Sequence, residues 1–278
     1  MKKKFLMTFS KKILIRLSLA LLALIVTIVC IILVLVSSSH QRSTSISGEL
    51  RKPGEKARLA IIIDDFGSGR DGVKEMMSIN KHITFAVMPF LEHSEEDAQN
   101  AYEKGYEVII HMSMEPNYGK RSWLGPRPIL AGMNGDEVRK IARDAFDSIP
   151  FAAGANIHMG SKASSDEIVI SALMDVIKER RLYFVDSRTA SHPVAKKIAK
   201  EKNVRCYDRD VFLDGQQPKS FIINRLREAG DIALKYGKAV AIGHVGIEGG
   251  KVTAEAIGEM LPDFESRNIE LVFVSELD

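Results

Sequence analysis

The sequence predicts an α/β fold, a distorted (β/α) barrel of seven to eight mainly parallel strands preceded by one N-terminal transmembrane helix. Short β-branched runs alternate with helical stretches throughout residues 59–278. Strand and helix in regular succession are typical of parallel sheets, and a barrel suits the number of repeats. A doubly wound open sheet is the alternative.

Hydrophobic patterning sets the predicted elements of this domain. The predicted strands are 59–64, 83–87, 107–111, 153–158, 182–186, 204–207, 239–243 and 270–274. The predicted helices are 70–79, 94–104, 135–147, 166–180, 192–202, 219–236 and 252–265. One connection, residues 116–133, is long and contains Trp123 and three prolines. We interpret it as one wall of a cleft, with an ordered surface loop as the alternative.

Composition and charge limit the classes of function. The chain has 278 residues, 45% of them hydrophobic and 27% charged, enough for one large domain or two small ones. Residues 1–58 carry eleven Lys or Arg and two acids, which leaves 28 bases and 34 acids in residues 59–278. Nucleic-acid binding, which needs a basic folded surface, is therefore not predicted. Two cysteines are too few for a disulfide framework or a thiolate metal site.

An apolar segment near the N-terminus predicts a membrane span. Residues 17–36 contain no charge and are long enough to cross a hydrocarbon core of about 30 Å. We interpret 1–12 as a basic cytoplasmic tail, 13–36 as a signal anchor and 37–58 as a flexible linker.

Charge on either side of the span predicts its orientation. Lysine and arginine precede it and serines follow it. The positive-inside rule therefore predicts a single-pass protein of the cell membrane, with a cytoplasmic N-terminus and residues 59–278 outside the cytoplasm. A cleaved signal peptide, which would release a secreted protein, is the alternative. The apolar core of such peptides is usually shorter, about 7–15 residues.

Two adjacent carboxylates, Asp64 and Asp65, follow the buried run Ile61–Ile63 and precede Gly67. Consecutive strand residues point to opposite faces, so the two carboxylates cannot do the same work unless the strand has already ended. An isolated Asp pair in this position commonly caps a turn or a helix. A functional interpretation therefore depends on residues elsewhere in the chain.

Polar residues recur at the C-terminal ends of the predicted strands. In a β/α barrel these ends converge on one rim, where catalytic residues lie. Two imidazoles and a carboxylate can hold a zinc-like cation with an open position, a second carboxylate can act as general base, and another histidine can protonate a leaving group. The residues concerned are Asp64, Asp65, His111, His158, Asp186 and His244.

Motifs spread over residues 59–278 carry a family resemblance. They are Ile62-Ile63-Asp64-Asp65-Phe66-Gly67, Met88-Pro89, His111-Met112-Ser113-Met114-Glu115-Pro116, Asn156-Ile157-His158-Met159-Gly160-Ser161, Val185-Asp186-Ser187-Arg188-Thr189, Arg209-Asp210-Val211-Phe212-Leu213-Asp214 and Ile242-Gly243-His244. Together they resemble the divergent polysaccharide deacetylases, which are related to the metal-dependent chitin, chitooligosaccharide and peptidoglycan deacetylases.

The resemblance implies roles for the residues at these positions. The larger group has a T-F-D-D-G motif in which the first Asp is the base and the second binds metal, which makes Asp64 the base and Asp65 a ligand. Its second motif carries two metal histidines four residues apart. His111 matches the first, but Glu115 stands where the second belongs. We therefore predict that His158 supplies the missing imidazole, with Asp65, His111 and His158 binding a divalent metal, Zn²⁺ being expected.

The resemblance also implies roles for the remaining positions. His244 matches the late Leu-His motif, whose histidine is the general acid. Glu115 is interpreted as a fourth ligand or as an outer partner of a ligand. We expect Asp186 to orient a histidine and Arg188 to pair with a carboxylate, with a salt bridge between the two as the alternative. Arg209, Asp210 and Asp214 receive no role; they belong to the rim.

These assignments predict a membrane-anchored, extracytoplasmic, metal-dependent hydrolase that removes acetyl groups from an envelope or extracellular polysaccharide. Two alternatives stay open. The domain could have lost catalysis and bind glycan or an envelope partner, as the Glu115 substitution suggests. The same chemistry could also act on a non-carbohydrate amide or ester.

Overall fold

The computed structural model of the chain describes residues 54–216 and 218–278, and these form a parallel sheet with helices packed against it. The predicted tail 1–12, the predicted anchor 13–36 and most of the linker lie outside the described residues. Within the described residues, no helix is both long and apolar enough to cross a membrane.

The described chain alternates strands and helices. The strands are β1 (Ala57–Phe66), β2 (Thr84–Val87), β3 (Glu107–Met114), β4 (Gly154–Met159), β5 (Tyr183–Asp186), β6 (Cys206–Asp208), β7 (Val211–Phe212), β8 (Lys238–His244) and β9 (Ile269–Val272). The helices are α1 (Val73–Met76), α2 (Ser94–Glu103), α3 (Gly135–Ser148), α4 (Glu167–Glu179), α5 (Ala195–Lys202), α6 (Lys219–Tyr236) and α7 (Gly250–Ser266). Short 3₁₀ helices span Arg121–Leu124, Ala163–Ser165 and Val274–Glu276.

The strands form one sheet in the order β6-β5-β4-β3-β2-β1-β8-β7, with β9 beside β1. Every strand pair is parallel. The chain between β6 and β7 joins the two ends of this order. The Arg209 N–H donates to the Asp186 carbonyl in β5, and the Asp210 N–H donates to the Val240 carbonyl in β8. These two bonds bring opposite edges of the sheet together, consistent with the predicted distorted barrel.

Alternation along the strands separates two cores. In β1, Leu59, Ile61 and Ile63 pack in the larger core shared with the helices. Ala60 and Ile62 pack in a smaller core inside the curled sheet, which the C-terminal residue Leu277 also enters. A strand buried on both faces reads as a continuous apolar run, and this explains the uninterrupted hydrophobic pattern of β1.

The predicted elements agree with this architecture, with local differences. All eight predicted strands overlap observed strands, and the two-residue strand β7 was not predicted. The predicted helix 70–79 is reduced to Val73–Met76. Gly72 precedes it at φ 77°, and a side chain there would overlap the Gly250 backbone at the start of α7. The chain therefore turns tightly where the sequence pattern suggests a longer helix.

Candidate metal and catalytic site

Five polar residues lie on the inner face of the sheet, toward the C-terminal ends of their strands: Asp64, His111, Asn156, His158 and His244. Because His244 is the register partner of Asp64, these two side chains share one level of the rim. His111 in β3 lies directly opposite Asn156 in β4, and His158 lies opposite Ser113, two residues further along. Cross-strand partners share a face. His111 and His158 are therefore diagonal neighbours on adjacent strands.

A bulge at the end of β1 brings both carboxylates to this rim. By alternation Asp64 continues the inner face of Ala60 and Ile62, and Asp65 would point outward. Instead Asp65 adopts a left-handed backbone, φ 71°, and the β1–β2 register shifts between Ile63 and Phe66. Left-handed backbone is uncommon for residues other than glycine, and such strain clusters at functional sites. The rule that adjacent strand residues face apart is therefore broken here by a change of backbone conformation.

The side chains of Asp65, His111 and His158 bring three possible ligand atoms together. Nδ1 of His158 lies 3.0 Å from Oδ1 of Asp65, and Nε2 of His111 lies 3.3 Å from the same oxygen. The two ring nitrogens are 3.2 Å apart. The three atoms thus form a nearly equilateral triangle.

This triangle fits a small divalent cation. Nitrogen and oxygen ligands about 2.0 Å from a tetrahedral zinc ion are about 3.3 Å from one another, close to all three observed edges. Within the described residues, Oδ1 of Asp65 is buried and accepts no hydrogen bond of acceptable geometry, even from the two nearby imidazoles. Those imidazoles outweigh the effect of burial and hold the pKa of Asp65 well below its usual range. The carboxylate is therefore ionised and needs positive charge beside it.

Hydrogen bonds on the far side of each ring select which nitrogen faces the triangle. Nδ1 of His111 lies 2.6 Å from Oδ1 of Asn156, and Nε2 of His158 lies 3.2 Å from the carbonyl oxygen of Trp123. Both oxygens can only accept, so each of these nitrogens carries a proton. The opposite nitrogen of each ring faces Asp65 and is the one that would present its lone pair to a cation held there. Histidines that bind metals are oriented in this way.

Asp64 is placed beside the triangle as a separate carboxylate. Its Oδ1 accepts a 2.7 Å hydrogen bond from the Asn156 amide, and its Oδ2 lies 3.7 Å from Nε2 of His111. Burial raises the pKa of Asp64, against the opposing effects of His111 and His244. A carboxylate with a raised pKa accepts a proton more readily than an ordinary one, which suits a general base.

His244 is held as a cation by a buried carboxylate. Nδ1 of His244 lies 2.8 Å from Oδ1 of Asp214, and Oδ2 of Asp214 accepts hydrogen bonds from the His244 backbone N–H and from the Thr253 hydroxyl. Burial alone lowers the pKa of His244, but Asp214, with Asp64 and Asp65 further away, raises it to about 9. At neutral pH this imidazolium can donate a proton.

Glu115 does not join the three-residue group. Its Oε1 accepts a 2.7 Å hydrogen bond from Lys162, and its Oε2 accepts one of 2.9 Å from the Ala131 backbone. Glu107, four residues before His111, also lies away from this group. Its carboxylate accepts a hydrogen bond from the Tyr183 hydroxyl at the other end of the strands.

Asp186 accepts a hydrogen bond from the backbone, and Arg188 forms an ion pair with a different acid. Asp186 lies on the side of β5 that carries Phe184, and its carboxylate accepts from the Arg188 backbone N–H. Among the described contacts, none joins Asp186 to a histidine. The Arg188 guanidinium pairs with Asp208 at 3.3 Å, as expected of an arginine that binds a carboxylate.

Two residues of this site were assigned no role from the sequence. Asn156 connects the Asp64 carboxylate to the His111 ring, and Asp214 fixes the charge of His244. The spacing of Asn156 and His158, two residues apart on one strand, already puts them on one face. Asp214 follows β7, whose two residues give no pattern that predicts its partner.

Comparison with known proteins places the chain in a family. The profile of the family described as divergent polysaccharide deacetylase matches residues 61–277. The uncharacterized protein YibQ of Escherichia coli strain K12 is 33% identical over 214 residues, which is 77% of this chain and 66% of that protein. The chain therefore spans about two thirds of the length of this relative.

Solved structures share the fold. The uncharacterized protein ATU2773 from Agrobacterium tumefaciens C58 superposes with a TM-score of 0.71 at 22% identity, covering 83% of this chain and 93% of that one. The Bc1960 peptidoglycan N-acetylglucosamine deacetylase superposes with a TM-score of 0.50 at 16% identity, covering 81% and 89%. At these identities the likeness concerns the fold alone. Since the family profile spans nearly all of the strand and helix domain, the chain belongs to the divergent polysaccharide deacetylase family.

Proposed function

We propose that the protein is a metal-dependent carbohydrate deacetylase that acts on an envelope or extracellular polysaccharide. The observation that carries the proposal is the triangle of Asp65 Oδ1, His111 Nε2 and His158 Nδ1, with edges of 3.0 to 3.3 Å. Family membership supports a carbohydrate substrate, and one structural neighbour is a peptidoglycan N-acetylglucosamine deacetylase. The three ligands are of the types that zinc prefers.

The residues around the triangle divide the work of hydrolysis. Asp65, His111 and His158 would hold a divalent cation, which would supply Lewis-acid polarisation of an acyl carbonyl and lower the pKa of water. Asp64 would take the proton of the attacking water, helped by its raised pKa. His244 would deliver its Nε2 proton to the departing sugar nitrogen or oxygen as the acyl bond breaks, releasing acetate. Asp214 keeps that proton on His244 at neutral pH.

Metal binding and acetate release test the proposal in one set of variants. The purified protein is expected to bind one Zn²⁺ and to release acetate from acetylated chitooligosaccharide or peptidoglycan fragments. Asp65→Ala should lose both properties, whereas Asp64→Asn and His244→Gln should retain zinc and lose acetate release. A wild-type protein that binds no zinc contradicts the metal-dependent reaction.

A second function is favoured by one observation, the glutamate at position 115 where the larger group has a metal histidine. The domain would then bind glycan or an envelope partner without hydrolysing it. Zinc and glycan binding without acetate release from any acetylated glycan supports this second function. Acetate release that disappears in Asp64→Asn contradicts it.

We propose that the domain lies outside the cytoplasm and is attached to the cell membrane by residues 13–36. The proposal rests on the uncharged apolar segment and the basic residues before it. Protease treatment of intact spheroplasts should degrade the domain and leave a membrane-bound fragment. A mature chain that lacks residues 1–36 by mass spectrometry indicates the alternative, a cleaved signal peptide.

A further inference from the structure

Glu115 connects three segments around the candidate metal site. Its carboxylate binds the Lys162 ammonium at 2.7 Å and the Ala131 backbone N–H at 2.9 Å. Its backbone carbonyl accepts hydrogen bonds from the N–H groups of Lys162 and Ala163. Lys162 and Ala163 follow β4, the strand that carries His158, and Ala131 lies near the end of the loop 116–133. One residue therefore holds both the segment after β4 and that loop.

The loop reaches the candidate metal site through a backbone atom. The Trp123 carbonyl oxygen lies 3.2 Å from Nε2 of His158, the nitrogen that must be protonated if Nδ1 is to face Asp65. The loop is fixed at both ends. Near its start, the backbone and amide of Asn117 donate to Ser161, and near its end Ile129 pairs with Met114 in β3.

The register of the sheet explains why a glutamate can do this work. His111, Ser113 and Glu115 share one face of β3 by alternation, and His158 is the partner of Ser113. An imidazole from β4 therefore occupies the level between His111 and Glu115. Position 115 lies one level higher, where the chain leaves the strand and the loop begins.

We propose that Glu115 is a positioning residue that fixes the loop 116–133 and the segment after β4, so that Trp123 holds His158 in its metal-binding orientation. In the larger group the position of Glu115 carries a metal ligand. In this chain it would carry the residue that fixes the orientation of His158. This inference rests on the metal site of the proposed function. The ionised form of Glu115 is favoured, since its pKa is lowered by Lys162 and by the Ala131 N–H.

Zinc affinity and the emission of Trp123, the single tryptophan of the chain, test this inference on the full-length protein. Glu115→Gln and Lys162→Met are expected to weaken Zn²⁺ binding about tenfold or more, as is common when an outer partner of a ligand is lost. Glu179→Gln is the matched control, because Glu179 also forms a surface ion pair, with Arg143 at 3.0 Å. The control should bind zinc like the wild type, and all three variants should have similar unfolding temperatures.

Two further measurements separate this inference from the proposed function. In metal-free protein, Glu115→Gln should shift Trp123 emission and increase its quenching by acrylamide, whereas Glu179→Gln should not. Unchanged emission and quenching contradict the positioning role of Glu115, whether or not zinc binds. If the wild type binds no zinc but Glu115→Gln alters the Trp123 emission, the proposed function is refuted. Glu115 is then still shown to fix the loop 116–133.

Glu115→His distinguishes a positioning residue from a metal ligand. If position 115 holds the loop, the imidazole cannot bind Lys162 and Ala131 together, and zinc affinity should fall as in Glu115→Gln. If position 115 faces the metal, the new histidine should restore the ligand pattern of the larger group and raise zinc affinity. The second result overturns the inference.

Discussion

Replacing Asp214 by asparagine tests how the structure sets the charge of His244. Asp214 is buried, and its carboxylate binds Nδ1 of His244 at 2.8 Å. Burial lowers the pKa of His244, and the Asp214 carboxylate is the largest opposing influence behind the rise from 6.5 to about 9. In Asp214→Asn the shape is kept and the charge is lost. The pKa of His244 should therefore fall by more than about one unit.

The same change has a calculable effect on stability. A rise from 6.5 to about 9 corresponds to roughly 3 kcal/mol. Because the folded-state pKa lies above the unfolded one, this stabilisation is fully present below pH 6.5 and is lost as pH rises through about 9. The free energy of unfolding of the wild type should fall over that range, and that of Asp214→Asn should fall much less.

Two assays measure these effects. Imidazole Cε1–H NMR signals give the pKa of His244, assigned by comparison with His244→Gln. Urea unfolding at pH 6 and pH 9.5 gives the change in stability. Asp175→Asn serves as control, since Asp175 is an ion-paired carboxylate on α4 that binds Arg139 and Lys202. A His244 that titrates near 6.5 in the wild type, or near 9 in Asp214→Asn, contradicts the control of the His244 pKa by Asp214.

Three other substitutions test separate features. Asn156→Ala should weaken zinc binding about 10- to 100-fold by calorimetry, because it removes the hydrogen bond that orients an imidazole ligand; unchanged affinity contradicts that role. Ile62→Ala, inside the curled sheet and fully buried, should lower the free energy of unfolding by about 2–5 kcal/mol in urea, and a loss well under 1 kcal/mol contradicts tight packing there. Gly249→Ala would overlap the Asp214 carboxylate and should shift the histidine titration, whereas Gly258→Ala, with nothing within 4 Å of the added carbon, should not.

Much of the fold could be predicted from the sequence because parallel strands buried on both faces leave long apolar runs. Ile61–Ile63 are an example, with neighbours packed alternately in the two cores. The closure of the sheet could not be predicted in this way. It depends on two backbone hydrogen bonds of Arg209 and Asp210, and β7 is too short to give a pattern.

The candidate site was predicted in part. His111 and His158 could be expected on one rim because they end adjacent strands, and the structure brings both to Asp65. Alternation alone predicts that Asp64 and Asp65 diverge, and only the left-handed backbone of Asp65 explains how both reach the rim. Backbone conformation of this kind is imposed by the tertiary structure and has no sequence pattern of its own.

The predicted hydrogen-bond partners show the same limit. Asp186 was expected to orient a histidine, but alternation along β5 puts it on the side of Phe184. The carboxylate that orients His244 is instead Asp214, thirty positions earlier in the chain. Partners distant in sequence meet only after the sheet has curled, so strand-end position identifies the rim and leaves the pairing open.

Anomalous scattering at the zinc absorption edge, measured from crystals grown with Zn²⁺, shows directly whether Asp65, His111 and His158 bind the metal. We expect one strong peak, about 2.0–2.2 Å from Oδ1 of Asp65, Nε2 of His111 and Nδ1 of His158. Absence of a peak at these three atoms, or a peak coordinated by Glu115 in place of His158, would contradict it.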